Sequence, residues 1–280
     1  LQSASNFLSE HTMTAIGIDY GTSNSEVVYF DGTAHQHIKL DPLDKKGNKI
    51  RSSVFIYFED ELPPPPDAMV EAKVAQLQRV ISEQIDKAKD GYYSAKDPKE
   101  QAMYSDRIDS LRGDLHNKPA LQRKAIAQLM HAMSLDEIPL LRLVEHGKFA
   151  FGEEGFRRFL KMPDKGRLIY SPKNFLGASL DGDQKQAFIG IIAKQLAYFK
   201  QCAEQQLGKA VNNAVIGRPV KFHGTRGEEG NAQAIQIMTE AATKAGFSGV
   251  NFLDEPIAAA YKIEQTLPRD TTTLIVDIGG

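Results

Sequence analysis

The sequence predicts an α/β protein in which a three-strand meander leads, after a long excursion, into helices alternating with parallel strands. Three observations carry that expectation. Residues 15–19, 25–30 and 35–40 read as short strands separated by glycine-bearing turns. From residue 183 onward, long amphipathic helical patterns alternate with short apolar strands. One phrase, an acidic residue at a strand end followed by a glycine turn, occurs twice: Ile18-Asp19-Tyr20-Gly21-Thr22-Ser23-Asn24 and Val276-Asp277-Ile278-Gly279-Gly280.

Residues 21–24 and Asp31-Gly32 supply turn chemistry between the first three strands. Residues 50–58 alternate well enough for a further strand, and Pro63-Pro64-Pro65-Pro66 makes a stiff spacer. Val70, Val74, Leu77, Ile81, Ile85 and Ala88 recur at spacings of three and four, so a helix is expected until Gly91 breaks the run. Ile108, Leu111 and Leu115 repeat the stripe after Asp97-Pro98, and a third helix is expected over 119–133. Such narrow stripes suit a self-packed helical hairpin or an arm that binds a protein partner. Ser134-Leu135-Asp136-Glu137 resembles a capping box, after which 141–145 and 148–151 suit a hairpin about His146-Gly147.

A long helix is expected over 183–207, with Phe188, Ile191, Ile192, Leu196, Phe199 and Ala203 on one face and Gly208 ending it. Residues 214–217 then form a strand, 228–245 a helix closed by Gly246, 250–253 a strand, 257–265 a helix, and 274–278 a new strand. The order β-β-β-α-β-α-β-α is that of a ribonuclease-H-like layer. Residues 13–50 and 165–266 are therefore expected to form the core of a first lobe, 51–164 a helical and β insertion, and 267–280 the truncated start of a second lobe. The chain reads as the front part of a longer protein.

With 280 residues and 41% of them hydrophobic, the chain can bury a sizeable core. A formal net charge of −2 creates no global field for nucleic acid or anionic membrane, and neither is expected as a partner. The single cysteine, Cys202, excludes an internal disulfide. No run reaches the ~18 apolar residues of a membrane helix, and the start lacks a signal peptide. A cytoplasmic location is expected. Residues 1–12 are polar and patternless and read as a disordered leader or tag before Met13.

An acidic residue at a strand tip beside a glycine turn places a carboxylate and free backbone amides at one point, which suits a metal-bound phosphate. Asp-x-Gly-Thr also occurs in ordinary hairpins; the second copy is what points to a nucleotide held between two such turns. His35 and His37 share a strand face, but no third ligand lies near them in sequence. Gly224-Thr225-Arg226-Gly227 lacks the lysine and hydroxyl of a Walker loop and reads as a surface turn.

Gly17-Ile18-Asp19-Tyr20-Gly21-Thr22-Ser23-Asn24-Ser25 resembles the first phosphate loop of the nucleotide-binding domain of seventy-kilodalton heat-shock (DnaK-type) chaperones, within the actin and sugar-kinase superfamily. Ile50-Arg51-Ser52-Ser53-Val54 is similar to the segment after that domain's third strand, and Ser171-Pro172-Lys173-Asn174-Phe175-Leu176-Gly177 to the stretch with its catalytic lysine. Val215-Ile216-Gly217-Arg218-Pro219 and Asp254-Glu255-Pro256-Ile257-Ala258-Ala259-Ala260 resemble its proline-switch and glutamate-proline segments. The excursion over 59–148 and the wording of 171–177 resemble the divergent bacterial branch typified by YegD, whose members appear without a peptide-binding domain. Val220-Lys221-Phe222 departs from the Ala-Tyr-Phe that follows the switch proline in the chaperones.

The resemblance implies an actin-type lobe that binds ATP or ADP with magnesium in a cleft and hydrolyses ATP slowly, the nucleotide setting lobe opening and closure. Asp19 and Asp277 would hold magnesium through water. The amides of Gly21, Thr22, Ser23 and Asn24, with Gly279 and Gly280, would cradle phosphate oxygens. Lys173 would place its charge beside the γ-phosphate, and Glu255 would orient the magnesium shell or the attacking water. By themselves, Ser-Pro-Lys-Asn is also ordinary turn sequence, and Glu255 before Pro256 also suits a helix start. A piece ending at Gly280 is expected to turn over little. A small-molecule kinase of the same superfamily and a non-hydrolysing nucleotide-sensing scaffold are the alternative expectations.

Overall fold

The computed structural model describes residues 14–43, 47–59, 63–132, 138–222, 224 and 226–264. It is a mixed α/β structure of two compact units, one from Leu1–Glu59 with Leu140–Gly280, the other Asp60–Pro139.

The first unit is built on β1 (Ala15–Tyr20), β2 (Asn24–Phe30) and β3 (His35–His37), an antiparallel meander. Alternation along β1 buries Ile16, Ile18 and Tyr20 on one face and leaves Asp19 on the other. At the turn after β2, Asp31 accepts from the backbone amides of Thr33 and Ala34 and from the Thr33 hydroxyl. Those bonds, the Ala34 amide foremost, lower its carboxyl to about 2. β8 (Asn213–Arg218) and β9 (Gly249–Asp254) join in parallel, giving the order β3-β2-β1-β8-β9, with β4 (Lys49–Arg51) also on β2. This order is compatible with the expected actin-like ATPase layer.

Crossovers are made by α6 (Gly182–Leu207) before β8 and α7 (Gly227–Lys244) between β8 and β9. Asp181 and Gln184 form a reciprocal capping box at the start of α6, and Gly208 ends it in the left-handed conformation at φ 67°. The apolar stripe read from the sequence is the buried one: Phe188, Ile191, Ile192, Leu196, Phe199 and Ala203. α8 (Glu255–Glu264) follows β9 directly. Within the same unit, β5 (Ser53–Tyr57) is wholly buried between β6 (Lys148–Phe151) and β7 (Gly166–Tyr170) in an antiparallel sheet. α5 (Gly152–Lys161) packs on that sheet, where Phe55, Tyr57 and Ala150 cluster with Phe159, Met162 and Leu168.

Three local expectations in this unit are corrected. The strand expected over 50–58 is two strands in different sheets, because Asn24 pairs with Arg51 while Ser53 pairs with Tyr170, and the chain bends between them at Ser52. The hairpin about His146-Gly147 is instead a helix, α4 (Leu140–His146), running into β6. Gly147 donates its amide to the Leu143 carbonyl at 2.8 Å, which ends a helix, and β6 finds its partner in β5. The third strand stops at His37 rather than residue 40.

The second unit contains α1 (Asp67–Ser94), α2 (Pro98–His116) and α3 (Lys118–Ala132). α1 runs through Gly91, which does not break it: a Cβ there would come within 2.5 Å of the Tyr104 ring, so the glycine lets α2 approach. Ile85, Ala88 and Ile108 form one cluster and Val70, Val74, Leu121 and Ala125 another, so the stripes bury against one another. The expected capping box at 134–137, the leader, and the strand at 274–278 lie outside the described residues.

Candidate functional site

The site starts at the end of β1. Tyr20 is fully buried and its hydroxyl donates to Gln195 Oε1 of α6 at 2.5 Å, which anchors the strand tip; burial pushes this phenol well above its ordinary range. Period-two alternation then presents Asp19 on the opposite face. The chain turns at residues 21–24 too tightly for a side chain at the first position, since a Cβ on Gly21 would lie 2.1 Å from the Asn24 carbonyl oxygen. Ser52 holds this turn from the neighbouring segment. Its amide donates to Ser23 O at 2.9 Å and its hydroxyl to Gly21 O at 2.8 Å.

Lys173 lies in a 3-10 turn, Pro172–Phe175, after β7. The turn is entered through Ser171 at φ 46°, the left-handed conformation that a non-glycine residue adopts only when its surroundings impose it. The Ser171 amide donates to Ser52 O at 2.8 Å, and on the far side Gln233 of α7 donates to Leu176 O and Ala178 O, both at 2.9 Å. Lys173 Nζ meets Glu255 Oε1 at 2.6 Å; its side chain is 8% exposed and that of Glu255 26%. Glu255 is placed by the parallel pairing of β8 and β9, which ends at Arg218 and Asp254, themselves joined by an ion pair at 2.8 Å. Gly217 lies beside it, with Glu255 Cγ 3.6 Å from where a Cβ would be.

Asp19, Gly21, Thr22, Ser23, Asn24, Lys173 and Glu255 line one cavity of about 900 Å³. These residues, from distant parts of the chain, thus bring two carboxylates, one ammonium and a glycine turn to a shared wall. Asp277, Gly279 and Gly280 lie outside the described residues. Sequence reasoning did not assign Glu26, His37 and Lys49, which line the same cavity. Glu26 and Lys49 are direct cross-strand partners with an ion pair at 2.7 Å, and His37 Nδ1 lies 3.8 Å from Glu26. The bond to Glu26 first, and then the charges of Glu26 and Asp19, hold the Lys49 ammonium above its ordinary range. The signal was the alternation of β2, which puts residues 24, 26 and 28 on one face. His35 instead packs against Phe30 with the two rings tilted at 37° and their centroids 4.9 Å apart.

Among the described residues no group of three or more His, Cys, Asp or Glu side chains is disposed to hold a metal ion directly. Nor is any described helix long and apolar enough to cross a membrane.

Residues 174–280 match the family model for Hsp70 protein. The chain is 36% identical over 93 residues to a heat shock cognate HSP70 protein of Trypanosoma brucei brucei, covering 32% of this chain and 13% of that one. It is 29% identical over 140 residues to a chaperone protein DnaK of Halobacterium salinarum, covering 49% of this chain and 21% of that one. With a chaperone protein DnaK of Ureaplasma parvum the identity is 37% over 92 residues, 32% of this chain and 14% of that one. The matches therefore span about a fifth or less of these relatives' lengths. Joined to the mixed α/β architecture, they make this chain similar in sequence to the Hsp70 proteins over residues 174–280.

Proposed function

We propose that this chain is the front part of a heat-shock-chaperone-like ATPase, of the divergent YegD-like kind, that binds magnesium-ATP between two lobes and hydrolyses it slowly to drive lobe opening and closure. The observation that carries the reading is the convergence of Asp19, the turn at 21–24, Lys173 and Glu255 on one cavity of about 900 Å³. The similarity to Hsp70 and DnaK proteins supports the choice of a triphosphate as the ligand.

In this reading the turn amides receive the β- and γ-phosphate oxygens, and the hydroxyls of Thr22 and Ser23 add donors. Lys173, whose charge is offset by Glu255 at 2.6 Å, exchanges that partner for the γ-phosphate. Glu255 then becomes free to accept a proton from, or orient, the attacking water. The donor set fits magnesium held through water: Asp19 lies beside the turn, with Glu26 directly across from it on β2. Asp277 would supply the second water-mediated contact. Magnesium would offset phosphate charge as the bond to the γ-phosphoryl group breaks.

The test is single-turnover hydrolysis of magnesium-ATP by the full-length protein beside its Lys173→Ala and Asp19→Asn variants. Cleavage lost in both supports the reading. Tight binding without cleavage replaces it with a nucleotide sensor, and no binding at all refutes it.

A further inference from the structure

We infer that Ser52 is a positioning residue that sets the spacing between the phosphate turn and Lys173, a role resting on the ATPase reading proposed above. Ser52 occupies the one-residue bend between β4 and β5, and so joins the two sheets. One sheet carries the turn at 21–24 through β1 and β2; the other carries Lys173 through β7. Every hydrogen-bonding group of this residue is committed across that junction. Its amide donates to Ser23 O at 2.9 Å, its carbonyl accepts from the Ser171 amide at 2.8 Å, and its hydroxyl bonds Gly21 O at 2.8 Å and Ser25 Oγ at 3.0 Å.

Burial makes these bonds consequential. Ser52 is 2% exposed and Ser25 0%, so water cannot replace a lost partner. With the carbonyls of Gly21 and Ser23 both taken by Ser52, the turn is kept from rotating its peptide oxygens toward the cavity, where they would repel an anion. The same residue holds the amide of Ser171, the left-handed entrance to the Lys173 turn. A shift of Ser52 thus moves the amide cradle and the ammonium relative to one another. Across the gap, Thr22 Oγ1 makes a long contact to Asn174 Oδ1 at 3.5 Å. Ser52 does not itself line the cavity, so it acts through the two loops.

The experiment compares the full-length protein with Ser52→Ala, Ser52→Thr, Ser53→Ala and Lys173→Ala, reading single-turnover ATP cleavage and ATP affinity on the folded fraction. Misplacement of reacting groups by about 1 Å costs about 100-fold in rate. Ser52→Ala is expected to lose about 10- to 100-fold in cleavage rate, with a smaller loss of affinity, and Ser52→Thr, which keeps the hydroxyl, to recover most of the rate. Ser53 is equally buried, its hydroxyl has no hydrogen-bond partner among the described residues, and its alanine variant should cleave at the parent rate. Should Ser52→Ala fail to fold, Ser52→Cys, which keeps the volume but donates poorly, is expected to show the same rate loss. Cleavage abolished by Lys173→Ala but unchanged in a folded Ser52→Ala or Ser52→Cys variant overturns this inference alone. Cleavage indifferent to Lys173→Ala, or absent from the parent, overturns the ATPase reading and the inference with it.

Discussion

The Lys173–Glu255 pair should be asymmetric in what its two halves cost to remove. At 2.6 Å the gross attraction is roughly 6 kcal/mol for an effective dielectric of about 20. Most of this is offset by taking the ammonium out of water, because the Lys173 side chain is only 8% exposed. Glu255→Gln leaves that buried charge uncompensated and should cost about 3 kcal/mol, the lower end for a broken buried pair, since the amide oxygen still accepts one bond. Lys173→Met leaves a carboxylate that is already 26% exposed and able to rehydrate, so about 1 kcal/mol is expected. The double variant should cost clearly less than the two singles added together. Urea unfolding of the four proteins, with equal slopes required before midpoints are compared, measures all three quantities. A Lys173→Met cost equal to or above that of Glu255→Gln, or simple additivity, would refute the claim that burial of the lysine dominates.

Gly21→Ala places a Cβ 2.1 Å from the Asn24 carbonyl oxygen and must open the turn. Overpacking of this kind costs about 1–3 kcal/mol, so calorimetric titration should find magnesium-ATP affinity lowered about 10- to 100-fold. Gly166→Ala meets the Ile56 carbonyl oxygen at 2.2 Å on the partner strand, and should lower the thermal midpoint by separating β7 from β5. Burial pushes the Cys202 thiol up, the bond from Tyr198 only partly opposing it. Because burial disfavours the folded thiolate, alkylation near pH 8.5 should be slower in the native protein than in urea. Equal rates would refute that assignment.

Local chemistry made much of the first unit legible. The stripe of α6 and its Gly208 stop, the alternation of β1 and the apolar runs of β8 and β9 are all short-range patterns, and the structure realises them within a residue or two. Gly91 misled because its reason is a ring from another helix, and His146-Gly147 misled because a glycine ends a helix as readily as it turns a hairpin. The strand over 50–58 failed in a similar way: one-dimensional alternation does not say when a strand changes partners.

By itself the sequence determined which residues carry the candidate chemistry. An acid at a strand tip, a glycine turn, a lysine in a Ser-Pro-Lys-Asn turn and a glutamate before proline are each local signatures. Only the tertiary structure decided that Asp19, Lys173 and Glu255 face one cavity, that Lys173 is buried against Glu255, and that Glu26, His37, Lys49 and Ser52 belong to the same neighbourhood. The reason is physical. Parallel β1, β8 and β9 bring strand ends from distant positions to one edge, and burial of a charge is set by what the rest of the chain packs around it, which no window of neighbouring residues contains.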